Sequence, residues 1–374
     1  MIRFGPAGIP LSCKGRTLKD GIEDVHNLSL TAMEVQMVRP TTDIRYPDDE
    51  EVGMTLRDIT EDFVIEFIRD GELICSPDVP IEEDDELVTM FYSIAENYGS
   101  LYNTGEIAKR MDVSLSIHAP YYIDLGVDPE TAVNYTDKSK DSEMAENYTE
   151  EYAAPNVVDR YIDSIRHSAL ILNALGGDTV VTSLGLYKGD SKKEREETDA
   201  RIYENVAGLM GWWQEEGLRP KLGVEITGHK ETFGSLDQVL DMCDQIEGLV
   251  PVLNFPHHHS RTGGSLKETR DFIDLIEAVK PYCKDGIYSQ FSGVEHADGE
   301  EKKYTPIKKG DLKFETLADA LTEVRPEMTV ISCSPLLEHD AMYMRIIEER
   351  VLSKKVAKML REMKKQAAPE VPGE

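Results

Sequence analysis

Short apolar segments and longer amphipathic segments alternate along most of this chain. The apolar segments are rich in β-branched residues and end at turn-forming residues, so each of them predicts a buried strand. The predicted strands are 2–4, 32–38, 114–118, 179–183, 222–226, 251–255, 287–291 and 328–332. Helices are predicted between them, including 18–28 with Thr17 as its cap, 161–175 and 236–245. Eight strands that alternate with helices predict an α/β fold, a closed (β/α)8 or TIM barrel.

One stretch interrupts this alternation after the second predicted strand. It predicts strands at 43–46, 64–69, 72–76 and 86–91, with a short helix at 54–59. Asp70-Gly71 predicts a two-residue hairpin turn, because such turns favour residues that tolerate positive φ. A second insertion, 127–155, predicts an acidic solvated loop over the barrel mouth. The predicted domains are a barrel at 1–40 and 93–360, an inserted β-rich domain at 41–92, and a flexible tail at 361–374.

The charge balance limits the partners of this chain. It has 71 acidic and 41 basic residues and a formal charge of -30. Such a surface repels phosphate backbones, which disfavours nucleic acid as a partner. A salt-rich cytoplasm is an alternative explanation of the acidic surface, and it would reveal nothing about partners. The sequence has no apolar run of membrane length and no secretion signal, and its five cysteines include no CxxC pair. A cytoplasmic protein with reduced thiols and no membrane contact is predicted.

Polar side chains occur where the predicted strands end. They are His118, Ser183, Glu225, Asn254, His257, Gln290 and Cys333. The carboxyl ends of the strands form the active-site face of a TIM barrel. A polar group beside a buried strand is costly unless it has a partner or a task. These residues therefore predict a polar site at the barrel mouth.

Several motifs at the strand ends are similar to those of archaeal members of the endonuclease IV family, part of the wider xylose isomerase-like barrels. The matching segments are FGPAGIP at 4–10, AMEVQ at 32–36, SIHAPYY at 116–122, GVEITG at 223–228, FGSL at 233–236, FSG at 291–293 and SPLLEHDA at 334–341. The resemblance implies a zinc-dependent phosphodiesterase that cuts DNA beside an abasic site. It also implies three zinc ions at the barrel mouth, held by nine His and carboxylate ligands.

Most of the implied ligand positions are replaced in this chain. His118, Glu225 and His257 match the family. The other six positions hold Ser183, Asn254, Gln290, Cys333, Lys302 and Tyr304. Lys302 is predicted to place a cation where the family has a carboxylate beside zinc. Because only three of nine ligands are kept, the resemblance leaves open whether the chain is an enzyme, and whether it binds zinc or no metal.

Two hypotheses describe what the remaining residues do. In the first, Glu225, His118 and His257 are catalytic and form a smaller metal site with Cys333, with Cys13 as a further soft donor. In the second, a small phosphorylated or sugar-like ligand is bound by His259, Arg261, Lys302, Tyr304, Asn254, Gln290 and Ser183. His257 and His259 are predicted to point the same way, because alternate residues at a strand end share a face.

The inserted domain resembles the C-terminal ligand-binding domain of potassium-uptake regulators, the TrkA-C or RCK-C type. The similar segments are 52–58, 68–74 and 81–88. The resemblance implies a small-ligand sensor that pairs with its own copies, so a homodimer through the insert is predicted. The alternative is a hairpin insert that only shields one side of the barrel, since long insertions cost little.

The leading functional prediction is a divergent endonuclease IV-like protein with a degenerate metal site. Its catalysis would be altered or lost, and it would bind a ligand or act in regulation. A second prediction is a metal-dependent hydrolase or isomerase that acts on a small phosphorylated or sugar substrate. The third is a conventional DNA-repair endonuclease at abasic sites, which the charge and Lys302 disfavour.

Overall fold

The computed structural model describes residues 1–38, 40–91, 94–128, 157–189 and 191–366. In chain order the strands are β1 (Ile2–Pro6), β2 (Ala32–Gln36), β3 (Thr41–Arg45), β4 (Val64–Arg69), β5 (Glu72–Ile74), β6 (Glu86–Phe91), β7 (Ser114–His118), β8 (Thr179–Thr182), β9 (Lys221–Glu225), β10 (Leu249–Asn254), β11 (Ile287–Phe291), β12 (Gly293–Ala297), β13 (Glu300–Thr305) and β14 (Met328–Ser332). The helices are α1 (Leu18–Asn27), α2 (Tyr98–Arg110), α3 (Val157–Leu175), α4 (Lys192–Glu215), α5 (Leu236–Gln245), α6 (Phe255–Arg261), α7 (Thr269–Val279), α8 (Phe314–Val324) and α9 (Glu338–Gln366).

Eight strands form one parallel sheet that curls into a nearly closed barrel, which confirms the predicted fold. Their order is β1-β14-β11-β10-β9-β8-β7-β2. The two ends of the sheet meet at a parallel bridge between Ala7 and Glu34. Gly5 makes this closure possible, because a Cβ atom there would lie 1.7 Å from the carbonyl oxygen of Ala32. The parallel pairing brings all eight carboxyl ends of the strands to one face.

A methyl group at Gly5 is expected to push β1 and β2 apart where the two ends of the sheet meet. We expect Gly5→Ala to lower the free energy of unfolding by about 3 kcal/mol, because backbone atoms cannot move aside as a flexible side chain can. Gly208 offers a matched control, since a Cβ there meets nothing within 4 Å and the residue is exposed within α4. Gly208→Ala should stabilise the protein by up to about 1 kcal/mol. Urea denaturation of both variants measures the difference, and equal stability would contradict the close approach of β1 and β2.

The insert is a four-stranded antiparallel sheet, as the β-rich pattern predicts. Its strand order is β3-β6-β4-β5. The predicted hairpin turn is present, with φ of 51° at Asp70 and 81° at Gly71. The predicted helix at 54–59 is wrong, since this segment forms turns. There the carboxylate of Asp58 accepts hydrogen bonds from the backbone N–H and the hydroxyl of Thr55, which closes a single turn instead of starting a helix.

A buried polar cluster fastens the insert to α3. Glu66 on β4 accepts hydrogen bonds from Arg166 at 3.1 Å and from His167 at 3.0 Å. Each of these three residues is at most 6% exposed. The Arg166 guanidinium also lies 4.6 Å from the ring centre of Trp212. Burial alone would raise the pKa of Glu66, but the hydrogen bond from His167 and the charges of His167 and Arg166 hold it below its ordinary value.

The last helix and the acidic loop bear on two of the predicted boundaries. The helix α9 continues to Gln366, so the predicted flexible tail from residue 361 begins within a helix. Most of the predicted acidic loop at 127–155 lies outside the described residues. Within the described ranges, no helix is both long enough and apolar enough to cross a bilayer.

Candidate active site at the barrel mouth

Glu34 lies at the centre of a hydrogen-bond network inside the barrel. It stands in the middle of β2 and is fully buried. The Tyr288 hydroxyl and the Gln290 amide each donate to Glu34 Oε2 at 2.8 Å, and the Gln36 amide donates to Oε1 at 2.7 Å. The hydroxyl of Ser116 lies 2.5 Å from that of Tyr288. The carboxylate thereby fixes the orientation of both amide side chains.

The network continues from Gln290 to the helix that follows β10. The Asn254 amide donates to Gln290 Oε1 at 2.7 Å and to the Tyr304 hydroxyl at 3.0 Å. The Tyr304 hydroxyl lies 2.7 Å from His257 Nε2, and His257 Nδ1 lies 2.8 Å from the carbonyl oxygen of Ile226. Because a carbonyl can only accept, Nδ1 carries the hydrogen and Nε2 keeps its lone pair towards the mouth.

His118 and Glu225 face each other at the ends of β7 and β9. His118 Nδ1 lies 2.7 Å from the Ala119 carbonyl oxygen, and Nε2 lies 3.5 Å from Glu225 Oε1. The Tyr121 ring stacks on the His118 ring with centroids 4.3 Å apart. Both imidazoles of the site are therefore held through Nδ1 by a backbone carbonyl, as is common for metal-binding histidines.

A bulge in the β12–β13 hairpin decides which of its residues face the mouth. Glu295 pairs with Lys303, whereas His296 pairs with Glu301, so Lys302 is an extra residue in β13. Glu301 Oε2 comes within 3.4 Å of His257 Nε2. Lys302 is exposed to solvent. The prediction that Lys302 places a cation in the site is therefore wrong, because the extra residue turns its side chain outward and brings a carboxylate inward.

Burial and neighbouring charges shift the pKa values of these groups. Burial raises the pKa of Glu34 and of Glu301. Burial would lower the pKa of His118, but the carboxylate of Glu225 3.5 Å away, together with Glu34, raises it to about 9. Burial would raise the pKa of Glu225, but His118 and His257 hold it below its ordinary value. The metal-free site therefore favours a cationic His118 beside an anionic Glu225.

The remaining predicted residues divide between the mouth and its frame. Burial raises the pKa of the Cys333 thiol, and the nearby carboxylates raise it further. They belong to Glu34, Glu225 and Glu301. Ser183 is half-buried, and its backbone oxygen accepts from Thr182. Cys13 is buried, and no metal-binding group among the described residues includes it with Cys333. The described structure thus leaves the paired-thiolate hypothesis without a converging donor set.

Arg261 supports the frame of the site. Its guanidinium donates to the Thr227 hydroxyl at 3.0 Å, to the Thr232 carbonyl at 3.2 Å, and to the carbonyl of His229. These contacts tie α6 to the loop that follows β9. Nη1 makes most of these contacts, so Arg261 positions this loop, and its predicted role in binding a ligand stays a prediction.

His259 does not face the mouth, because residues 255–261 form a helix and not a strand. It is fully buried and its ligand atoms lie within 4.8 Å of those of His296 and Asp311. The backbone N–H of Leu266 donates to His259 Nδ1 at 3.1 Å, so the neutral ring carries its hydrogen on Nε2. That nitrogen faces Asp311 at 3.3 Å and cannot ligate a cation while it holds a hydrogen. The group therefore fastens the hairpin to α6.

The sequence did not predict four residues of the site, which are Glu34, Gln36, Glu301 and Tyr288. The signal for Glu34 was present, since a carboxylate in an apolar strand is rarely buried without a partner. Glu301 carried no comparable signal. Its position depends on the bulge, and nothing in the run Glu300-Glu301-Lys302-Lys303 indicates which residue is the extra one.

A parallel barrel with imidazoles and carboxylates at its strand ends places the chain among TIM-barrel proteins with a polar barrel mouth. The chain belongs to the xylose isomerase-like TIM barrel family, whose model matches residues 102–336. An uncharacterized protein of Methanocaldococcus jannaschii is 26% identical over 282 residues, which cover 71% of this chain and 92% of that protein. The family match begins after the insert, whose resemblance to TrkA-C domains no comparison supports.

Solved structures share this fold across nearly the whole chain. Endonuclease IV from Thermus thermophilus is 14% identical, with a TM-score of 0.55, over 93% of this chain and 99% of its own. A D-psicose 3-epimerase solved in the presence of D-fructose is 13% identical, with a TM-score of 0.50, over the same shares of 93% and 99%. The resemblance to endonuclease IV is confirmed as a likeness of fold. At these identities the likeness carries no activity with it.

Proposed function

We propose that this protein is a metal-dependent enzyme that acts on a small, neutral, polyhydroxylated substrate such as a sugar. One observation carries the proposal. His118, Glu225, His257 and Glu301 line the mouth, and Glu301 Oε2 is buried there without a hydrogen-bond partner. An unpaired buried carboxylate oxygen is costly, and a cation is the partner that would offset most of that cost.

Two pairs among these donors are spaced like neighbouring ligands of a divalent cation such as zinc. His118 Nε2 and Glu225 Oε1 are 3.5 Å apart, and His257 Nε2 and Glu301 Oε2 are 3.4 Å apart. Both separations are long for hydrogen bonds. They are close to the distance of about 3.4 Å between neighbouring ligands of a tetrahedral zinc ion with bonds of about 2.1 Å. The two pairs do not converge on one point, since among the described residues no three of these four side chains bring ligand atoms within 4.8 Å of one another. To hold one metal, the four side chains would have to draw together and the Tyr304 hydroxyl would have to leave His257 Nε2. A metal bound there would polarise a substrate oxygen as a Lewis acid.

A cluster of three zinc ions fits the site poorly. At two of the positions that the endonuclease IV resemblance assigns to ligands, the side chains donate hydrogen bonds. Asn254 donates to Gln290 and Tyr304, and Gln290 donates to Glu34. An amide N–H has no lone pair for a cation. This argues against abasic-site cleavage by the zinc chemistry that the resemblance implies.

The lining of the mouth favours hydroxyl groups over phosphate. The Gln36 amide and the hydroxyl of the exposed Tyr121 can exchange hydrogen bonds with a polyol, and Glu34 holds the Gln36 amide in place. The predicted cations do not gather there, since Lys302 is exposed and Arg261 is engaged by its loop.

Metal content and sugar turnover test this proposal together. We expect purified protein to hold a stoichiometric divalent metal by elemental analysis, and to interconvert at least one sugar of a panel in a chelator-sensitive reaction. Metal-free protein with no affinity for zinc or manganese would overturn the proposal in favour of lost catalysis. Chelator-sensitive nicking of an abasic duplex, without sugar turnover, would overturn it in favour of a DNA-repair endonuclease.

A further inference from the structure

The end of α9 has an uncovered apolar face. Every residue from Val356 to Met363 is exposed. Val356, Met359, Leu360 and Met363 are exposed by 42%, 53%, 53% and 64%. Their spacing of three and four residues places them on one side of the helix. Helices in proteins are held mainly by the packing of such a face, so this one is suited to a partner.

The same part of α9 is basic, in contrast to the rest of the chain. Residues 353–366, here called the terminal segment, hold six basic residues and one acidic residue, Glu362, in a chain of formal charge -30. A nucleic acid or an anionic bilayer would attract the terminal segment but would also meet the acidic body beside it. An acidic protein surface with apolar side chains matches the terminal segment better.

The insert offers such a surface. Its residues 41–92 include 17 acidic and 3 basic side chains. The three arginines are each paired with carboxylates of the insert itself, Arg45 with Glu51, Arg57 with Asp78 and Arg69 with Asp85. The edge strand β3 and the residue after it expose Ile44 by 54% and Tyr46 by 65%. An unpaired edge strand with exposed apolar side chains is itself prone to association.

Within one chain, the two surfaces lie against different parts of the barrel. The insert packs on α3, whereas α9 packs on α8, β1 and β14. We propose that the terminal segment of one copy docks on the insert of a second copy. The apolar side chains of the terminal segment cover Ile44 and Tyr46, and Lys354, Lys358 and Arg361 face the carboxylates of the insert. This makes the insert one half of a head-to-tail contact between copies.

Mixing two variants tests this pairing. We expect the full chain at about 0.15 M salt to run as a dimer or larger by light scattering. Met359→Glu and Ile44→Glu should each weaken association at least about tenfold. Each variant keeps one intact surface, so an equimolar mixture of the two should form a heterodimer. Lys192→Glu changes charge on a side chain that is 90% exposed on α4 and serves as the control that should associate normally.

Each other outcome counts against the proposal. A monomeric wild type would overturn it. If Met359→Glu were monomeric while Ile44→Glu still associated, the terminal segment would dock elsewhere. If the mixture stayed monomeric although both variants kept the melting temperature of the wild type, the two surfaces would not be partners. Sedimentation of monomeric wild type with anionic phospholipid vesicles would assign the terminal segment to a membrane surface instead.

Discussion

Replacing Glu225 with glutamine is expected to lower zinc affinity by at least about 100-fold, since even the loss of a residue that only supports a metal ligand costs about 10–100-fold. Glutamine keeps the shape of the side chain but removes the anionic ligand between His118 and His257. The loss should appear in isothermal titration of metal-free protein with zinc. Lys302→Ala is the matched control. The sequence predicts Lys302 at the same barrel mouth, but the structure exposes its side chain to solvent, so this variant should bind zinc like the wild type.

The same substitution has a second readout that does not need metal. Glu225 is the main group that raises the pKa of His118 to about 9 against the effect of burial. In the Glu225→Gln variant only Glu34 and the Ala119 carbonyl oppose the effect of burial, so the pKa of His118 should fall. Proton NMR of the imidazole in metal-free protein measures this value. If zinc affinity and this pKa both stayed at the wild-type values, Glu225 would have no place in the site.

Replacing Glu66 with leucine is expected to destabilise the protein by about 3 kcal/mol, because it leaves the buried Arg166 without its main partner. Arg166 keeps one carboxylate, Asp163, at 2.9 Å, which limits the loss. The double variant Glu66→Leu with Arg166→Met should recover most of the stability, since an apolar pair replaces a buried ion pair at little cost. Asp163→Asn is the control and should cost less than about 1 kcal/mol, because the Asp163 side chain is 43% exposed.

Tryptophan fluorescence during urea denaturation measures these changes at the interface itself. The chain has two tryptophans, and one of them, Trp212, lies under Arg166. Acid provides a further test. The folded-state pKa of Glu66 lies below its ordinary value of 4.5, so its contribution is complete above that pH and is lost as the pH falls through the lower value. A wild type and a Glu66→Leu variant with the same acid dependence would contradict this assignment.

The barrel could be predicted from the sequence because its strands are buried on both faces. Such strands appear as continuous apolar segments, and 114–118, 287–291 and 328–332 have the predicted bounds. The helix at 54–59 was predicted wrongly because a Thr-x-x-Asp pattern fits an isolated turn as well as a helix start. His118, Glu225 and His257 were predicted at the mouth because each follows a strand, and the structure places them there.

Other parts of the site depend on three-dimensional features that could not be predicted from the sequence pattern. His257 and His259 were expected to share a direction, but α6 starts at Phe255 and sends them to different sides. Whether a strand continues or a helix begins at that point is decided by Asn254, whose side chain accepts from the His257 N–H and caps the helix. Asn254 was instead interpreted as a replaced metal ligand and as a residue that binds a small ligand.

The extra residue in β13 has a consequence for how relatives of this protein are recognised. An alignment of sequences assumes that side chains at equal spacing along a strand point to the same face. One additional residue in the hairpin breaks that assumption and leaves the flanking motifs unchanged. A search pattern with fixed spacing across the hairpin would take Lys302, and not Glu301, as the residue that faces the mouth. Loss of Lys302 would remove the bulge and leave the pairs on either side of it in register, so Glu301 and Tyr304 would become alternate residues of a regular strand and still share a face.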